Sequence, residues 1–113
     1  MKVNPLKKMN QQTNELEALR QAVEGLHNCK AKYKKKTHVK ETFEGQTVWD
    51  GDVYVFDLRD HPTAKQAYVW SSPIKGSTKR RFYAVLHAPP VKSAKDAVRA
   101  AILSDYQKQK NAS

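Results

Sequence analysis

Asp57, Asp60 and His61 lie close together beside Arg59 and Pro62, so two carboxylates and an imidazole could share a proton or contribute to a metal site. A metal site needs at least three convergent ligands. The other histidines, His27, His38 and His87, fall on separate segments with neither H-x-E nor H-E-x-x-H spacing. No metal is therefore expected. An Asp before His-Pro is also ordinary turn chemistry, in which Asp60 bonds to its own backbone. If these groups serve a small ligand, the pocket would combine Asp57, Asp60, His61 and His87 with the indoles of Trp49 and Trp70.

Other catalytic patterns are absent. There is no G-x-S-x-G and no C-x-x-C, and four glycines in the chain leave no phosphate-cradling loop. Trp49-Asp50-Gly51-Asp52 lacks the alternating ligands and distal glutamate of a calcium loop. No cofactor is expected, and a non-enzymatic role is favoured over catalysis.

The second chemical feature is basic. Lys32, Lys34, Lys36 and Lys40, within a run that also holds Lys35, alternate with Ala31, Tyr33 and Val39, and Lys79-Arg80-Arg81 repeats the charge later in the chain. On one exposed face these side chains could contact phosphates, and Tyr33, Trp70 and Tyr83 could stack on bases. The competing reading treats the lysines as a solvated edge that discourages strand aggregation, and the aromatics as core. The formal net charge of +10 is divided along the chain as +7 over residues 1–40, −4 over 41–70 and +7 over 71–113. That distribution predicts a salt-sensitive attraction to polyanions: nucleic acid or an acidic protein.

The elements that would position these groups follow from periodicity. Leu16, Leu19, Val23 and Leu26 lie on one side of a helix that starts near Thr13, with Asn14 and Glu17 as a capping pair and Gly25 and Asn28 at its end. Period-two segments follow at residues 31–43 and 47–58, joined by a Glu44-Gly45 turn, then at 65–70 and 80–88. Gly51 marks a bulge or a close approach. Val53-Tyr54-Val55-Phe56 is either a buried central strand or, at an edge, a dimer interface, and burial is favoured. After Pro89-Pro90, Ser93 and Asp96 open a second helix with a narrow stripe of Ala94, Ala97, Val98, Ala101 and Ile102.

The expected fold is thus α+β: an N-terminal helix, a four-stranded antiparallel meander and a C-terminal helix, with both helices on one sheet face. One domain spans 13–106, preceded by a flexible lead-in over 1–12 and followed by a disordered tail over 107–113. The single Cys29 excludes an internal disulfide. No apolar run approaches the roughly 18 residues of a membrane span. A cytoplasmic protein without membrane association is expected.

Residues Thr47 to Leu58, then His61-Pro62, then Ala67-Tyr68-Val69-Trp70-Ser71 resemble small uncharacterised bacterial proteins of the kind carried on mobile, integron-type gene cassettes. The resemblance spans about Leu16 to Ile102 and implies a compact domain without known chemistry. Lys92-Ser93-Ala94-Lys95-Asp96-Ala97 is similar to the last helix start of double-stranded RNA-binding domains, yet the fourth strand, the missing Gly-Pro-x-His loop and Asp96 depart from that family. The leading expectation is a basic binding module. The alternatives are a homodimeric or homo-oligomeric accessory protein and a small-ligand binder.

Overall fold

The computed structural model describes residues 5–112, with side chains over 15–107. The elements are α1 (Pro5–His27), β1 (Lys30–Phe43), β2 (Gln46–Arg59), β3 (Gln66–Pro73), β4 (Arg80–Leu86) and α2 (Ala94–Ala112). The strands form one sheet in the order β1-β2-β3-β4, every pairing antiparallel. This is the α+β meander that the periodicity predicts.

Both helices are longer than expected. α1 is helical from Pro5, through the segment read as a lead-in and through the Asn14-Glu17 pair read as its cap. Proline is tolerated in a first turn, and no glycine or second proline interrupts residues 6–24. α2 likewise continues to Ala112 across the segment read as a disordered tail. Residues 1–4 and 113, the outermost parts of those two segments, lie outside the described residues.

The helices do not share a face. Leu19 and Val23 of α1 pack with Phe56 and Leu58 of β2, Ala67 and Val69 of β3, and Ala84 of β4. Ala94, Ala97 and Val98 of α2 pack with Val53 and Val55, Tyr68 and Trp70, and Val85. These are opposite parities of the same strands, so the sheet is sandwiched between α1 and α2. The reason is visible in Val53-Tyr54-Val55-Phe56. Val53, Val55 and Phe56 are buried and Tyr54 is half-buried, so both parities of β2 need cover.

A bulge divides β1. Tyr33 lies opposite Phe56 and Lys35 opposite Val55, leaving Lys34 as the extra residue. The insertion exchanges the two parities. Before it, Ala31 joins the α1 core; after it, Val39 joins the α2 core. Lys35, Thr37, Val39 and Glu41 consequently share the α2 side with Val55, Val53 and Trp49, while Lys36, His38 and Lys40 lie opposite Tyr54, Asp52 and Asp50. The single lysine face expected over residues 32–40 is therefore split.

Local signals are otherwise met where they carry a mechanism. Glu44 and Gly45 have φ of 51° and 79°, the left-handed pair of a tight hairpin turn. At α2, Ser93 Oγ accepts the Asp96 N–H at 3.1 Å and Asp96 Oδ2 accepts the Lys92 N–H at 3.1 Å. Gly51 is a close approach without a bulge. A Cβ there would lie 3.1 Å from the Trp49 ring, which crosses the glycine to meet Trp70 at 5.9 Å.

Candidate functional site

The sheet's connectivity separates the two basic segments. β1 and β4 are opposite edges, so Lys79, Arg80 and Arg81 do not continue the lysines of β1. Lys79 stands in the turn before β4, where its N–H donates to Ser77 Oγ. The Arg80 guanidinium is held by Ser71, donating at 2.8 Å to Oγ and at 3.1 Å to the carbonyl. Arg81 pairs with Asp105 of α2 at 3.1 Å and lies 4.9 Å from the centre of the Tyr83 ring. Two of these three cations are thus tied down locally.

β1 tells a different story. Lys32 lies opposite Asp57, and Lys36 is 3.9 Å from Asp52, so both face carboxylates on β2. Lys34, Lys35 and Lys40 instead border a cleft of 530 Å³ whose far wall is the start of α2, where Lys92 and Lys95 stand. Its floor is Val39, Val55, Gln66, Tyr68 and Ala94, all but Gln66 buried. The five lysines are exposed, and none makes an ion pair among the described residues. Asp96 is the carboxylate nearest that helix start, and it is engaged with the Lys92 N–H. Lys34, Lys35, Lys92 and Lys95 line the two walls of a partly enclosed space, with Lys40 at its border on the Asp50 side of the strand. An anion there would find the four undisturbed by internal ion pairs.

Two of the seven basic residues singled out from the sequence, Lys34 and Lys40, reach this cleft; Lys32, Lys36, Lys79, Arg80 and Arg81 do not line it. Lys35 lies inside the run, but only the bulge turns it to the α2 side. Lys92 and Lys95 were legible as lysines flanking a capping serine. Nothing in the sequence said which strand that helix start would face.

The walls are held together below the cleft. Arg99 Nε donates to Glu41 Oε1 at 2.7 Å, tying α2 to β1. At the other end of the strand, Glu24 of α1 accepts the Ala31 N–H at 2.8 Å and an Arg20 hydrogen bond at 2.8 Å. The Ala31 contact, then Arg20, holds the Glu24 carboxyl below its ordinary pKa. His38, at the cleft rim, bonds to Asp50 at 2.7 Å and Asp52 at 3.1 Å. The Asp52 hydrogen bond, with the field of both carboxylates, raises the imidazole pKa and favours its cationic form.

The six residues proposed as a pocket are not brought together. His61 stands near His27, their ring centres 6.2 Å apart, and its Nδ1 accepts the Thr63 and Ala64 N–H groups, as a turn residue does. His87 shares a 2.7 Å hydrogen bond with Tyr68. Asp57 accepts from Gln66 at 3.2 Å, and Asp60 takes a positive φ of 65° at the end of β2. Trp49 and Trp70 meet without any of these groups, around a 100 Å³ cavity under α2. Trp70 is buried and stacks on Tyr83 with ring centres 5.1 Å apart, so its ring is core.

Among the described residues no cluster of three metal-ligating side chains occurs, and no helix is long and apolar enough to cross a membrane. No family model matches the chain, and no curated protein or solved structure is significantly similar to it.

Proposed function

We propose that this protein is a non-enzymatic binding module that captures an anionic partner in the cleft between β1 and the start of α2. The observation that carries the reading is that Lys34, Lys35, Lys92 and Lys95 line one cleft without internal ion pairs, with Lys40 at its border. Like charges gathered without partners are destabilising to the isolated fold, and an external anion relieves that repulsion. Of the three rings that could stack on bases, Trp70 is buried against half-buried Tyr83, and Tyr33 alone is exposed.

Titration of labelled anionic polymers, with oligonucleotides and polyglutamate as the two arms, into the purified protein over a salt series tests the reading. Affinity that falls steeply and log-linearly with salt is expected for at least one arm. Absence of binding to either arm near physiological salt would remove the proposal and leave the charge of +10 as a determinant of solubility.

A further inference from the structure

The cleft is lined by Lys34, Lys35, Thr37, His38, Val39 and Lys40, almost consecutive residues of one strand. Alternate residues of a strand point to opposite faces. A space bordered by both parities therefore runs along the strand's edge, beside its main chain, and is not confined to one face.

β1 is an outer strand, so alternate N–H and C=O groups along it point away from the sheet. At the start of the strand this edge is closed by Glu24, which accepts the Ala31 N–H. Beyond the Lys34 bulge, the described residues supply no further strand and no turn or loop backbone bond to it. The open stretch coincides with the cleft.

From this geometry we infer that the occupant is an extended acidic polypeptide segment that adds to β1 as a fifth strand, between residues 35–40 and the Lys92–Lys95 wall. The inference rests on the anion-binding reading of the same cleft and names its partner. A strand offers alternating donors and acceptors, and so satisfies the outward N–H and C=O groups together. A nucleic acid offers phosphate acceptors, which would leave the carbonyls of β1 facing negative charge. A second copy of this chain is disfavoured, because pairing β1 with itself would set the lysines of two such strands against each other. Guarding the edge against self-association explains lysines on β1, but not Lys92 and Lys95 across the cleft. Acidic side chains on the incoming strand would meet both sets, while its inward face lies beside Val39.

The test uses the full chain and a labelled synthetic peptide that alternates glutamate with valine. Two further versions are N-methylated, one on every valine and one on every glutamate, and an oligonucleotide of equal charge is the fourth probe. Only one set of peptide N–H groups faces β1, so one N-methylated peptide should bind about tenfold or more weakly while the other keeps the parent affinity. Amide exchange over residues 35–40 should slow in the complex. Equal affinity for all three peptides would overturn strand addition and leave the anion-binding reading standing. Binding of the oligonucleotide alone would also overturn it, with nucleic acid as the occupant. Failure of all four probes would remove both the inference and the reading on which it rests.

Discussion

Glu41 of β1 is buried, with 5 % of its surface exposed, and its Oε1 accepts a 2.7 Å hydrogen bond from Nε of Arg99 on α2. The pair spans 58 residues and sets the separation of the two walls of the basic cleft. A buried carboxylate that loses its cation is left with an uncompensated desolvation cost. Arg99→Met should therefore lower unfolding free energy by about 1–3 kcal/mol, the lower range applying because Arg99 is itself half exposed. The double replacement Glu41→Leu with Arg99→Met should recover much of that loss. Urea denaturation of the three proteins checks both expectations.

Charge reversal separates the cleft from the rest of the basic surface. Lys35→Glu with Lys92→Glu places a negative charge on each wall. It should weaken binding of an anionic partner by at least about tenfold and flatten its salt dependence. Lys79→Glu, which changes charge at the opposite edge of the sheet, should leave affinity within about twofold, since exposed charges beyond a Debye length are screened. Anisotropy titrations at two salt concentrations compare the variants.

The element order was legible because it depends on local periodicity and turn chemistry. Ser93 and Asp96 marked the start of α2, and Glu44-Gly45 marked the hairpin turn. The bulge was not. Lysines occupy both sides of it, from Lys32 to Lys36, and a residue type that tolerates either parity gives no sign that the parities have exchanged. That one insertion decides which lysines reach α2. The placement of the two helices could have been read more closely, because an apolar run of both parities in Val53-Tyr54-Val55-Phe56 already requires cover on two faces. That Lys35 and Lys92 border one cleft, by contrast, is a tertiary fact that neither segment encodes alone.

Trp70 belongs to the core and not to the binding surface. It is 3 % exposed and packs between Trp49 and Tyr83, whose hydroxyl donates to Asp105 at 2.9 Å. Trp70→Ala should cost about 3–5 kcal/mol of stability. Trp70→Phe should cost less and leave anion affinity unchanged. Thermal unfolding and titration of the Phe variant give the two readouts; an affinity loss without a stability loss would assign the ring to the ligand.

His38 supplies a pH dependence of definite sign. Its pKa is raised above the reference value of 6.5, through the hydrogen bond to Asp52 and the field of Asp50 and Asp52. A raised folded-state value means that the associated stability is fully present below the unfolded pKa and is lost as pH rises through the folded one. Stability should thus decline on that rise in the wild type, and His38→Gln should remove this component while leaving the acid limb intact. Denaturation midpoints measured across neutral pH, with the imidazole titrated by NMR, check the direction.

The most direct test of the central claim is a residue-resolved NMR map of amide shifts as polyglutamate is titrated into the isotopically labelled protein. If the cleft is the binding site, the largest changes fall together on residues 34–40 of β1 and 92–95 at the start of α2, and they fade as salt is added. Changes centred on Lys79, Arg80 and Arg81, or spread evenly over all exposed lysines, would contradict a single cleft as the site of binding.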